Sequence, residues 1–431
     1  MAARLHRSWG SWLRHPVLRN AGSLYGVQAA AYAAPLATLP YLARVLRPAS
    51  FGQLAFAQSF AACATLLVEY GFVYSATREV AVARGDAAGM ERIAASVLSA
   101  KMVLLAGLVL LVVGAGLGLQ AFRQHAAYLW GAALLAAAQG SSPMWYFQGV
   151  ERMSAASLRD VLARCTAVAA VFLLVRRPQQ GPWVLYLFAA AALASGGYNY
   201  AVLYSQVRPR WPSWGGARQA LWRGRGMFSF RLLAALYTSA NIFFVGLFVP
   251  APAVAEFAGA EKLARAGLGL LSPASQALFP RMSHLMVRDR RRALRAGRAS
   301  LAVLALGGAI LGALLAVTAP IAVRLVLGPG YGDAAPLLRV MALLPPLVAV
   351  SNVLGLHWMV PLRMERAFNA IIAAGAAVNL GLGAWLIVRL GPMGMAVATV
   401  VAEAVVVSAM LAVLRRRGFD PFAGRAAAGA D

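Results

Sequence analysis

The chain has 431 residues, 61% of them hydrophobic, with a formal net charge of +26. On a soluble protein such charge points to nucleic acid. Here it sits in short gaps between long apolar stretches, where topology and attraction to anionic lipid headgroups account for it. About twelve stretches of roughly 20 apolar residues leave no room for a separate soluble domain.

The runs are continuous and lack the polar–apolar alternation of strands. Backbone groups in lipid must be satisfied internally, so the expected fold is an all-α membrane bundle. Residues 1–19 are basic and carry Trp9 and Trp12. They read as a cytoplasmic tail at the interface rather than a cleavable signal. Six segments follow, at about 20–46, 50–75, 93–119, 126–149, 153–175 and 182–207. Residues 208–226 form a basic linker rich in Trp, Gly and Pro. Six more segments fall at about 227–248, 253–280, 299–327, 334–361, 367–390 and 393–414. This predicts an N-terminal lobe over 1–207, a C-terminal lobe over 227–417 and a cytoplasmic tail over 418–431.

The odd-numbered gaps hold Arg44, Arg47, Arg123, Arg176, Arg177, Arg324 and Arg389, and most of the forty basic residues lie in the even gaps and the tails. Positive charge stays on the cytoplasmic side, so both termini are expected there, after an even number of crossings. A weak internal likeness aligns Gln58 with Glu261 near the start of each lobe's second segment. With six spans each, the lobes would be parallel repeats about an axis along the membrane normal. Cys63 and Cys165 stand singly and read as small core residues. Gly114, Gly116 and Gly118, and Gly308 with Gly312, read as close helix packing.

Ionisable side chains inside the stretches are costly and usually face a bundle interior or a wet cavity. They are Lys101, Arg231, Lys262, Arg265, Arg339, Glu69, Glu256, Glu261 and Glu403. Glu261, Lys262 and Arg265 lie about ten residues or more into segment eight, near the midplane at about 1.5 Å per residue. Glu261 and Arg265 share a helix face, with Ser272 on the same stripe. Gln58, Thr65 and Glu69 form a stripe on segment two, Tyr25, Gln28 and Tyr32 on segment one, and Arg231, Thr238 and Asn241 on segment seven. These faces are expected to line a central hydrophilic cavity, with a packing-only ion pair as the alternative for Glu261 and Arg265. Glu403 has no partner on its own helix, so a neighbouring cation or protonation is expected. Trp145, Tyr146 and Phe147 suit sugar contact or an interfacial aromatic belt. Pro35, Pro40, Pro273, Pro345 and Pro346 are expected to bend helices. The chain has no phosphate-cradling loop, metal-ligand cluster or extramembrane carboxylate pair. The pattern favours a transporter over a membrane enzyme of polysaccharide assembly, with no cofactor and no metal.

Several stretches together carry a family likeness: NAGSLYGVQAAAYAAPLATLPYLARVLRPASFGQLAFAQS, EYGFVYSATREVA, SSPMWYFQGVERM, AEFAGAEKLARAGLGLLSPASQALFPRMSHL and GPMGMAVATVVAEA. In this order they resemble the Wzx-type oligosaccharide-lipid flippases of the multidrug/oligosaccharidyl-lipid/polysaccharide exporter superfamily. The resemblance implies two six-helix lobes, a cavity opening alternately to each side, and residence in the bacterial inner membrane. It implies as substrate an undecaprenyl-diphosphate-linked oligosaccharide for O-antigen or exopolysaccharide synthesis. Polysaccharide polymerase and chain-length components are the protein partners it suggests. A drug/cation antiporter of the same superfamily is the alternative. On this reading Arg265, Lys262 and Arg231 would meet the diphosphate. Asn241, Gln28, Tyr25, Tyr32 and Gln58 would complete the cavity, and Glu261, Glu403 and Glu69 would form ion pairs or couple transport to protons.

Overall fold

A computed structural model describes residues 16–238, 240–288 and 290–419, with the side chains of 16–36, 121, 271–281, 283–291 and 293 outside the described set. Among the described residues the structure is helical, without strands. In chain order up to Gln206 the helices are α1 (Pro16–Glu69), α2 (Phe72–Val82), α3 (Ala87–Gly118), α4 (Gln120–Gln124), α5 (Ala126–Gly140), α6 (Met144–Gly149), α7 (Met153–Leu174) and α8 (Gly181–Gln206). Then come α9 (Trp214–Thr238), α10 (Asn241–Phe248), α11 (Ala251–Arg288), α12 (Arg290–Val326), α13 (Ala334–Met341), α14 (Leu344–Asn352), α15 (Glu365–Leu390) and α16 (Pro392–Arg416). A π-helical run, Val353–Met359, extends α14.

The breaks follow from local chemistry. At about 1.5 Å per residue, the 54 residues of α1 exceed twice a bilayer core. The helix breaks at Arg47, which has φ 57° and ψ 167°. Pro48 follows, and a proline disfavours helical backbone in the residue before it. The next break falls at Tyr70 and Gly71, both at positive φ. Pro345 and Pro346 sit in the first turn of α14. There they start a helix, where a missing N–H costs nothing, instead of bending one. Pro40 lies within helical α1. Pro35 and Pro273 carry side chains outside the described set. The expected linker is helical from Trp214 onward and runs without a break into segment seven.

Six stretches among the described residues are long and apolar enough to cross a bilayer. Their outer faces identify the solvent. On α12, Val303, Leu306, Ile310, Leu314, Val317, Ile321 and Leu325 are exposed at steps of three and four, while Leu301, Leu304, Ala319 and Val323 are buried. A helix with apolar residues on both faces is suited to lipid.

The chain forms two compact units. One comprises Met1–Leu46 with Ala57–Leu232, the other Arg47–Phe56 with Leu233–Asp431. In the first, α5 and α7 pack on α8, and α2 on α6. Its core holds Phe72, Val97, Trp145, Tyr146, Phe147 and Leu203. The aromatic triplet is therefore buried, and neither belt nor sugar contact describes it. In the second, α15 packs on α16 and α12 on α14. Gly308 and Gly312 permit the latter contact, since a β-carbon on Gly308 would lie 2.6 Å from the Pro345 carbonyl oxygen. The other glycine stripe does not pack this way: β-carbons on Gly114 or Gly118 would meet nothing within 4 Å, and only Gly116 approaches a neighbour, Leu129. Cys63 is half-buried and Cys165 exposed on α7, both as free thiols. Cys165 is thus no core residue.

In the first unit the even-numbered gaps meet at one end. Arg84 pairs with Glu151 at 2.9 Å, Arg210 with Glu91 at 2.8 Å and Arg223 with Glu79 at 3.1 Å. Odd gaps meet at another, where the Tyr41 hydroxyl donates to the Val175 carbonyl at 2.8 Å and Tyr186 to Ala127 at 3.2 Å. Outside the spans, the Arg84 guanidinium beside Glu151 holds its carboxyl below the usual range.

Candidate functional site

The polar residues predicted for one cavity fall in both units. In the second unit, α11 carries Glu261, Lys262 and Arg265. The Arg265 guanidinium reaches back one turn to Glu261, with Nη2 2.6 Å and Nε 3.1 Å from Oε1. Its Nη2 also donates to the Thr238 carbonyl. Thr238 ends α9, and α10 departs at 60°. A helix end leaves carbonyls without intrahelical donors and carries partial negative charge, so a cation belongs there. The Arg265 side chain remains 45% exposed, against 8% for Glu261. Lys262 turns elsewhere: its ammonium lies 5.2 Å from the centre of the Phe51 ring, within cation–π range. Lys262 and Arg265 stand three positions apart, about 60° around the helix, yet their charged groups reach different partners.

Glu403, on α16, is buried and accepts hydrogen bonds from two hydroxyls, Ser351 at 2.5 Å and Tyr237. Its partners are thus neutral, drawn from α14 and α9. One turn away along the α16 face, Thr399 accepts from the Asn241 amide at 3.3 Å. Asn241 in turn accepts from Asn379 at 2.8 Å. The result is a buried polar seam among α9, α10, α14, α15 and α16.

In the first unit Glu69 and Arg231 form an ion pair at 2.8 Å. Arg231 therefore does not join Thr238 and Asn241, which belong to the second unit beyond the boundary at Leu232. Lys101 is 2% exposed and donates to the carbonyls of Gly140 and Ser142, each at 2.8 Å. It covers the end of α5 where segment four breaks. Beside it opens a cavity of about 340 Å³, lined by Thr65, Glu69, Gln139, Gln148, Asp160 and Arg164. Gln58 belongs to this unit and is half-buried. The side chains of Tyr25, Gln28, Tyr32 and Ser272 lie outside the described residues.

Sequence reasoning missed Asp160, whose carboxylate accepts from Ser195, and Arg159, which donates to Asn199 at 2.8 Å. The signal was present: both, with Arg164, lie inside an apolar stretch long enough to span. Among the described residues no three His, Cys, Asp or Glu side chains are placed to hold a metal.

Comparison with known proteins adds three findings. The family described as polysaccharide biosynthesis protein matches residues 17–286. A protein of Escherichia coli (strain K12) named "Putative O-antigen transporter" is 29% identical over 402 residues, 92% of this chain and 96% of its own. Two solved structures share the fold. The lipid II flippase MurJ, in an inward closed conformation, superposes with a TM-score of 0.67 at 11% identity, covering 92% of this chain and 87% of that one. An inward-facing multidrug resistance MATE family transporter of the MOP superfamily gives 0.66 at 15%, covering 88% and 94%.

Proposed function

The chain belongs to the polysaccharide biosynthesis protein family, and from that premise we propose that it flips a polyprenyl-diphosphate-linked oligosaccharide from the cytoplasmic to the periplasmic leaflet. It is a multi-pass membrane transporter of polysaccharide biosynthesis and not an enzyme. In this reading the chain crosses the inner membrane twelve times, in two six-helix lobes that open alternately to each side. Both termini are cytoplasmic, and the gathering of basic even-numbered gaps at one end of the first unit supports that orientation.

The observation that carries the reading is Arg265. Its guanidinium lies within a membrane helix, half-exposed, held by one carboxylate and one backbone carbonyl. A diphosphate offers paired oxygens that match the guanidinium fork. Glu261 releases Arg265 when the substrate arrives. Lys262 and Arg231, like Arg265, must leave their partners, here Phe51 and Glu69, before they can add charge. Tyr25, Gln28, Tyr32, Gln58 and Asn241 offer hydroxyls and amides to the sugars. Glu261 or Glu403 carries the proton that returns the empty carrier.

Deleting the gene tests this directly. Undecaprenyl-diphosphate oligosaccharide should accumulate on the cytoplasmic leaflet, and surface polysaccharide should fall. The fold shared with a multidrug transporter motivates the second reading, a drug/cation antiporter. A deletion that alters drug tolerance and leaves surface glycan intact selects it.

A further inference from the structure

A second cavity, of about 610 Å³, opens where α2, α3 and α9 meet, and nothing above uses it. Its charged lining is Arg78, Glu79, Asp86, Arg92 and Arg223. Both carboxylates are occupied within the chain. Glu79 pairs with Arg223 at 3.1 Å. Asp86 caps α3, accepting from the Gly89 N–H at 2.9 Å. Arg92 is well exposed, reaching Asp86 only at 3.8 Å and donating through Nε to the Ala88 carbonyl at 3.3 Å. Arg78 is exposed and has no partner among the described residues. The cavity therefore presents one unopposed guanidinium and one loosely held, with the Ser96 hydroxyl and the Gln219 amide as neutral donors.

Two further features fix its depth. The exposed Val82 gives it an apolar wall. The segment leading into α9, and α9 itself, carry Trp211, Trp214 and Trp222, all exposed. Tryptophan rings concentrate at the headgroup level of a bilayer. The cavity also lies at the end of the unit where the basic gaps meet, with Arg223 and Glu79 joining two of them.

We infer that this cavity binds the phosphate of an anionic lipid headgroup, held by Arg78 and Arg92. Paired guanidinium groups favour phosphate through charge-assisted hydrogen bonds, and basic pockets at membrane boundaries suit anionic headgroups. The site does not depend on the cargo, so it stands or falls separately from the flippase reading.

The test uses full-length protein in maltoside micelles, titrated with phosphatidylglycerol or phosphatidylcholine and followed by native mass spectrometry. Phosphatidylglycerol should bind more tightly, and the double variant Arg78→Ala/Arg92→Ala should weaken it by about tenfold. Arg78→Lys should keep part of the affinity, since a point charge still attracts phosphate. Arg218→Ala, on α9 but outside the cavity, should change nothing. Equal binding of the two lipids, or full binding by the double variant, overturns the site. Displacement by millimolar inorganic phosphate would assign the cavity to a soluble phosphate and overturn the lipid assignment.

Discussion

Each unit breaks a helix and covers the exposed carbonyls with a cation, but the two cations live in different surroundings. Lys101, in the first unit, is almost wholly buried and gives two hydrogen bonds to the end of α5. Arg265, in the second, covers the end of α9 with nearly half its side chain exposed. Identical chemistry therefore has two uses. A buried cation whose hydrogen bonds go to backbone is committed to holding a break open. A half-exposed one, held by a neighbouring carboxylate, is available to a ligand.

The sharpest break of that comparison is Lys101→Met. It leaves the buried Gly140 carbonyl without that donor, at about 1–3 kcal/mol, and the half-buried Ser142 carbonyl at less. Thermal unfolding in detergent should show a large loss of stability, and transport should fall with it. A stable, active Lys101→Met variant would show that the lysine is not structural.

Arg265→Ala should weigh more on function than on stability. It leaves the buried Glu261 carboxylate without its cation and one Thr238 carbonyl without that donor, so the melting temperature should fall, but by less than in Lys101→Met, while transport is abolished. Arg265→Lys should retain part of it. If Glu261→Ala/Arg265→Ala restores function lost in either single variant, the pair is structural and the ligand role is wrong.

Glu403→Gln is expected to have a smaller effect. The amide oxygen accepts from one of the two hydroxyls of Ser351 and Tyr237, and the amide N–H donates to the other, so expression should hold. The dependence of transport on the proton gradient, measured in proteoliposomes, should flatten. An unchanged dependence removes Glu403 from coupling.

The smallest effect belongs to the exposed pair of Arg84 and Glu151. Arg84 depresses the Glu151 pKa. Its contribution is therefore fully present above the ordinary carboxylate value of about 4.3 and is lost as pH falls through the depressed value. Glu151→Gln should lower melting only slightly at neutral pH, as the loss of an exposed pair does, and remove this acid-side slope. A large shift at neutral pH would contradict an exposed pair.

Much of the helical layout could be read from apolar runs, and the Glu261–Arg265 pair from spacing alone, because both depend on neighbours in sequence. The partners of Glu403 could not, since Ser351 and Tyr237 come from other helices. The aromatic triplet misled for the same reason: Trp145, Tyr146 and Phe147 look amphipathic in sequence, and only packing decides that they are interior. Asp160 escaped because its hydrogen-bond partner, Ser195, stands on another helix.

The turn at Arg47 and Pro48 has one more consequence. The ten residues from Arg47 to Phe56 belong to the second unit, where Phe51 meets Tyr331 edge-on and Gly52 lies against the Ala251 backbone. The later part of the chain thus borrows a piece of its interior from near the beginning. A gene split at the tryptophan-rich stretch would yield a downstream fragment missing part of its own core. The intact chain holds that piece by covalent connection, so ribosomal order matters: the loan is synthesised long before the unit that needs it.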